Sequence, residues 1–208
     1  MGDTAAKRTF DVCAASAGLI ISAPIQLVTA AAIALRLGRP IFFRQVRPGR
    51  DGKPFTLIKF RTMVALDARG GRASDAERLT SLGRFLRATS LDELPTLYNV
   101  ARGDMSIVGP RPLLMEYLPL YTPEQARRHE VRPGITGLAQ ISGRNALTWP
   151  ERLALDVDYV RRRSFRLDLI ILLKTFGQVL RFNQVSAPGE ATMRPFTMDF
   201  QPCPPLPW

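Results

Sequence analysis

The sequence predicts an α+β protein, mostly α, in which an N-terminal re-entrant membrane helix-break-helix precedes one domain built from a small β-hairpin and amphipathic interfacial helices. Three observations carry this expectation. Val12 to Leu35 is a run of 24 residues without a formal charge. Two stretches rich in Ile, Phe, Val, Thr and Leu flank a Pro-Gly and Asp-Gly turn between residues 41 and 60, and Thr122 and Thr148 each open a helix-start signature. The expected boundaries are an anchor over 1–36, a cytoplasmic domain over 37–182 and a Pro-rich extended or disordered tail over 183–208.

Composition bounds the class of protein. With 208 residues, 46% apolar and 23% charged, the chain has apolar side chains enough for a core, which excludes a natively disordered polymer. A formal charge of +11 calls for partners of opposite sign: nucleic acid, anionic lipid or phosphorylated small molecules. Cys13 and Cys203 have neither the number nor the spacing of a disulfide framework or zinc site, and fit a reducing compartment.

The apolar run can cross a bilayer, since a helix rises ~1.5 Å per residue and the hydrocarbon layer is ~30 Å thick. It is longer than the ~7 to 15 residues of a signal-peptide core. Pro24 stands near its middle, where it removes a backbone hydrogen bond, and the Ser22 hydroxyl is placed to cap a freed carbonyl. Lys7 and Arg8 lie before the run; Arg36, Arg39, Arg44 and Arg47 lie after it. The positive-inside tendency keeps both flanks cytoplasmic. A hairpin bent at Pro24 satisfies this; a single kinked span is the competing arrangement.

The hairpin's arms carry Arg44 and Arg47 on one strand and Lys59 and Arg61 on the other, so they can present cations to a shared ligand; solvated edge charge is the alternative. Residues 66–82 are polar and lead into a helix around Leu82 to Leu86. Thr122, Pro123 and Gln125 form an N-cap, first-turn proline and capping-box partner, and Thr148 with Glu151 repeats the box before a helix reaching about Arg163. The run from Phe165 is apolar at Leu167, Ile170, Ile171, Val179 and Leu180 but carries Asp168 and Lys174, so it suits a helix lying in a membrane interface or a core helix. Six prolines fall in residues 183–208, hence the extended tail.

The stretch "TSLDELPTLYNVARGD" sets Asp92 beside Glu93. Ser90 and Glu93 match a capping box, although Pro95 would then fall fifth in the helix; starting at Asp92 places Pro95 in the first turn. Both registers put the acids beside a helix N-terminus, where the dipole favours ionised carboxylates and free N–H groups suit phosphate. Adjacent carboxylates offer a Mg²⁺ site and a nucleophile, as in enzymes forming an aspartyl phosphate. Attack on phosphate needs neutralising cations, and Arg84, Arg87, Arg102 and Arg111 lie close in sequence. In "GDMSIVGPRP", Pro110 and Pro112 stiffen the backbone around Arg111.

The segments "RPIFFRQVRPGRDGKPFTLIKFRTM", "TSLDELPTLYNV", "GDMSIVGPRP" and "RHEVRPGITGLAQISGR" occur in the order and spacing of the bacterial sugar transferase family. Over roughly residues 7 to 182 the chain resembles the family's small monotopic phosphoglycosyl transferases. The resemblance implies transfer of a sugar 1-phosphate from a UDP-sugar to a polyprenyl phosphate such as undecaprenyl phosphate, with release of UMP. It also implies Mg²⁺ dependence, a place at the cytoplasmic face of the bacterial inner membrane, and a role at the start of surface glycan assembly. It makes Asp92 the nucleophile of a phosphosugar-aspartate intermediate, Glu93 its metal partner, and the Pro110-Arg111-Pro112 loop a nucleotide or diphosphate site. The expected substrate- and phosphate-binding set is Arg111, Pro110, Pro112, Arg87, Lys59, Arg61, Arg44, Arg132 and Arg144; Asp92 and Glu93 are the metal ligands, and Ser22 and Pro24 form the membrane kink. Two departures stand out: Ala23, not Ser, directly precedes Pro24, and Leu138 occupies a position where many small members have Trp.

His129 is expected as a helix-dipole partner, and of Asp156 and Asp158, two residues apart, at most one faces the site. A membrane-tethered nucleic-acid binder is the alternative function; it calls for aromatics interleaved with the basic residues, which the sequence lacks. Which sugar is moved, the glycan pathway, the oligomeric state and any downstream glycosyltransferase partners stay open.

Overall fold

The computed structural model describes residues 5–64, 75–143, 147–180 and Phe196. Mostly helical with two small sheets, it agrees with the expected class. The first helix, α1 (Ala5–Arg36), is continuous and encloses Pro24, where two helices separated by a break were expected. A proline frees one carbonyl four residues back, here that of Ile20, and a helix of 32 residues survives that single loss. The Ser22 hydroxyl donates to Gly18 O at 2.6 Å and accepts from Gln26 Nε2 at 2.9 Å, so it does not cap the carbonyl that Pro24 frees.

Both ends of α1 are docked on the same body. Lys7 donates to Asp168 at 2.6 Å, Arg8 to the carbonyls of Val100 and Ala101 at 2.8 and 2.9 Å, and Asp11 accepts from Ile107 N at 3.1 Å. Ala15 packs in a core with Leu57, Val100 and Met105, and towards the other end Ile33 packs with Phe60 and Leu86. Burying Ile33 alone contributes about 1.5–3 kcal/mol. Between these docked ends Ile20, Ile21, Ile25, Leu27 and Val28 are exposed.

Strands β1 (Phe42–Pro48) and β2 (Pro54–Phe60) form the expected antiparallel hairpin, closed through Asp51 and Gly52 at positive φ. Its register pairs Phe43 with Lys59 and Arg47 with Phe55, while Arg44 pairs with Ile58. Because side chains alternate with a period of two, Lys59 and Arg47 share one face and Arg44 lies on the other. A short α2 (Asp75–Arg78) precedes α3 (Ser81–Ala88), which packs so closely on the end of the hairpin that a Cβ on Gly83 would lie 1.9 Å from Thr62 O.

Helix α4 (Thr96–Arg102) leads to β3 (Ser106–Val108), which pairs in parallel with β4 (Gly134–Thr136), a sheet not foreseen from the sequence. The glycines of "VGPRP" and "RPGITG" make the pairing sterically feasible: a Cβ on Gly134 would lie 2.1 Å from Gly109 N. Both expected capping boxes are present, Thr122 with Gln125 opening α5 (Pro123–Ala126) and Thr148 with Glu151 opening α7 (Trp149–Arg162). Between them lies α6 (Leu138–Ser142), and the last described helix is α8 (Phe165–Leu180).

Helix α8 buries Ile171 with Val108, Tyr159 and Val160. It exposes Phe165, Leu169, Leu173 and Phe176, a stripe that meets α1 where Phe165 packs edge-on against Phe10 at 5.6 Å. Asp168, on the buried side, holds Lys7 and accepts from Tyr159 OH at 2.8 Å. Phe196, the one described residue of the tail, packs against Tyr117, Tyr121 and Trp149 in a second core. Apolar burial holds this residue despite the local prolines.

Candidate active site

The two acids sit on a tight turn between helices. Helix α3 ends at Ala88, and Ser90 follows with φ 58°, ψ 15°, its N–H bonded to Arg87 O at 3.2 Å. This left-handed residue terminates α3, in a position more often filled by glycine. A 3₁₀ turn over Leu91–Glu93 follows, and α4 starts only after Pro95. The expected capping box is therefore absent: Ser90 makes no side-chain cap bond. Pro95 has no N–H for an interior helical bond, so the helix begins beyond it and Glu93 is released for other partners.

Helix α4 fastens this turn to the hairpin. Thr96 donates to Ile58 O at 3.0 Å, and Asn99 bonds both Thr56 O and Ile58 N, at 2.8 and 3.1 Å. Lys59 is thereby held over the turn, its Nζ 2.5 Å from Glu93 Oε1. From the other side, Arg111 reaches the same oxygen at 2.7 Å. The loop carrying Arg111 is stapled to β4 by Gly109 N to Thr136 O and Gly134 N to Pro110 O, both at 2.9 Å, with Pro110 and Pro112 buried around it.

The carboxylates are thus electrostatically unlike. Burial opposes ionisation of Glu93, but Arg111 and Lys59 overcome it and hold the group well below the usual carboxylate range. Asp92 is also buried, and no hydrogen bond reaches its carboxylate among the described residues. Burial first, then the charge of Glu93, push Asp92 up to about 6 against the pull of Lys59, Arg111 and Arg87. Burial and Arg111 lower Lys59, and the Glu93 charge raises Arg111. Arg87 donates to Thr62 Oγ1 at 3.1 Å, and its charge acts on Asp92.

Other expected residues lie elsewhere. Arg61, expected in the phosphate-binding set, donates to the carbonyls of Leu37, Gly38 and Arg39 and caps the exit from α1. Arg132 Nε bonds Gly103 O at 2.9 Å just beyond α4. Carbonyls at helix ends lack intrahelical donors, and nearby guanidinium groups supply them. Arg44 is exposed on the hairpin face opposite Lys59, and Arg144 falls outside the described residues. Asp156 is buried against Arg128, while Asp158 pairs with Arg162. His129 does not act as a dipole cation: burial and Arg128 lower it to about 4, and its Nδ1 faces Gly49 O at 3.3 Å.

One basic residue omitted from the expected set belongs to the site. Arg47 shares the Lys59 face, donates to Gln45 Oε1 at 2.6 Å and has no bond at its buried Nε. Burial and the nearby Arg111 hold it down to about 10, so it is a charged group beside another of like sign. Only the hairpin register, which residue types do not reveal, separates Arg47 from Arg44.

The donor set suits Mg²⁺ in part. Carboxylate oxygens are the hard ligands this ion takes, and Mg²⁺ ordinarily keeps waters and uses substrate phosphates alongside one or two carboxylates. Among the described residues Asp92 accepts no hydrogen bond, whereas Glu93 already offers Oε1 to two cations. No group of three or more His, Cys, Asp or Glu is placed to hold a metal among the described residues.

A buried carboxylate within the field of Lys59, Arg111 and Arg87 is an arrangement suited to handling phosphates. Comparison with known proteins gives the protein's class. The bacterial sugar transferase family matches residues 2–182. The chain is 54% identical to the uncharacterized sugar transferase EpsL of Bacillus subtilis, covering 92% of this chain and 95% of that protein. It is 43% identical to the UDP-glucose:undecaprenyl-phosphate glucose-1-phosphate transferase of Caulobacter vibrioides, over 84% of this chain and 69% of the relative. With the undecaprenyl-phosphate galactose phosphotransferase of Salmonella typhimurium it shares 40% identity over 84% of this chain and 40% of the relative. The chain belongs to the bacterial sugar transferase family and is a sugar-phosphate transferase.

Proposed function

We propose that the protein transfers a sugar 1-phosphate from a UDP-sugar to undecaprenyl phosphate through a covalent intermediate on Asp92. The observation that carries this is the asymmetry of the acid pair: Glu93 is tied to Lys59 and Arg111, and among the described residues no hydrogen bond reaches Asp92. An Asp92 oxygen attacks the sugar-bearing phosphorus, a P–O(Asp) bond forms, the bond to the bridging oxygen breaks, and UMP leaves with that electron pair. An oxygen of the polyprenyl phosphate then attacks the same phosphorus and the carboxylate is regenerated. Lys59, Arg111, Arg87 and Arg47 offset the repulsion between anions. Asp92 and Glu93 would hold Mg²⁺, which would neutralise further diphosphate charge.

The relatives' names cite glucose and galactose. A panel headed by UDP-glucose and UDP-galactose, with undecaprenyl phosphate in detergent, therefore tests the sugar. Labelled donor should leave a hydroxylamine-sensitive phosphosugar on Asp92. A preparation releasing UMP with no label at that position overturns the covalent route. Membership of a sugar transferase family leaves the nucleic-acid-binding alternative without support.

The protein sits at the cytoplasmic face, with α1 entering the bilayer and not crossing it. Docking of Lys7 and Arg8 on the body that also holds Ile33 supports this, because both ends of the helix then lie on one side. The exposed stripe of α8 supplies an interfacial contact. Tags at the N-terminus and after Arg36 should both be cytoplasmic; a periplasmic N-terminus refutes the arrangement.

A further inference from the structure

We propose that Arg128, locked by Asp156, is a positioning residue that fixes the backbone of Arg111 and so aims that guanidinium at the donor diphosphate. The donor itself comes from the function proposed above. Arg128 Nη2 donates to Arg111 O at 2.7 Å, and Nη2 and Nε both donate to Asp156 Oδ2, at 2.7 and 3.1 Å. The two side chains are 1% and 2% exposed. A planar guanidinium held at two nitrogens by one carboxylate has no freedom left to rotate, so its bond to Arg111 O has a fixed direction.

The loop needs such an external handle. Pro110 and Pro112 supply no N–H groups, so beyond the Gly109 N–H, which bonds Thr136 O at 2.9 Å, the loop is held through its carbonyls. Pro110 O is held by Gly134 N from β4, and Arg111 O by Arg128. Arg111 then extends from this doubly held backbone to Glu93 at 2.7 Å. Replacing a buried ion pair with apolar groups is often neutral or stabilising. Stability alone is therefore a weak account of Arg128 and Asp156, and orientation of Arg111 is a stronger one.

Arg128→Lys and Asp156→Asn test this in parallel. Lysine keeps the charge but cannot serve the carboxylate and the Arg111 carbonyl with one rigid fork. Each variant should raise KM for the UDP-sugar ~10- to 100-fold, the scale of a small misplacement of a binding group, with much less change in kcat. In an Arg111→Ala background neither should raise KM further, whereas mere loss of folded enzyme would lower apparent kcat equally in both backgrounds. Hydrogen exchange of a peptide covering residues 107–113 should accelerate in both variants while a peptide from α4 does not. That last measurement needs no substrate, so it judges Arg128 even if wild-type enzyme releases no UMP. Unchanged exchange at 107–113, or KM effects that multiply with Arg111→Ala, would overturn the proposal.

Discussion

Asp92→Asn should destroy turnover and make the protein more stable. In the folded protein burial and Glu93 raise Asp92 from 3.8 to about 6. A tenfold change in proton affinity is worth about 1.4 kcal/mol, so holding Asp92 ionised costs about 3 kcal/mol. Its folded pKa lies above its unfolded one, so the cost is absent below about pH 4, where both states are protonated. It grows between pH 4 and 6 and is complete at higher pH. Asparagine carries no charge and escapes it. With about 2–4 °C per kcal/mol for a chain of this size, the variant should melt several degrees above wild type at pH 8. Thermal melts of detergent-solubilised wild type and variant across pH 4 to 8 give the comparison. A gap in melting temperature that does not widen with rising pH, or a variant less stable at pH 8, would refute the electrostatic account of this carboxylate.

The same ionisation sets the acid limb of activity: kcat/KM should fall about tenfold per pH unit below about pH 6, measured on UMP release without saturating donor. Glu93→Gln strands Lys59 and Arg111, and should lower stability by about 1–3 kcal/mol, read as a lower melting midpoint at pH 8. Ser90→Gly relieves a left-handed residue and should stabilise by about 0.5–1 kcal/mol, the relief being partly offset by glycine's greater unfolded-state entropy; melting temperature reports it. Gly83→Ala forces a methyl onto Thr62 O and should cost about 1–3 kcal/mol in the same melts.

Local chemistry made much of this protein legible in its residues. The hairpin follows from β-branched and aromatic runs around glycine turns, and α5 and α7 from capping boxes that depend on residues three apart. Adjacent acids followed by a Pro-flanked arginine announced phosphate chemistry, and the family match agrees with the chain's motifs. The continuity of α1 was less legible, because Pro24 states which bond is lost and not whether a long helix tolerates the loss.

What the tertiary structure alone decided is the fate of each arginine. Composition supplies many equivalent guanidinium groups. Whether one meets Glu93, as Arg111 does, caps carbonyls, as Arg61 does, or locks a neighbouring loop, as Arg128 does, depends on strand register and helix placement. The same holds for the two acids. Side by side in the chain, they differ because the folded backbone brings Lys59 and Arg111 to Glu93 and buries Asp92 with no hydrogen bond from the described residues; charge interactions and desolvation depend on distances through space, which neighbouring residue types do not specify.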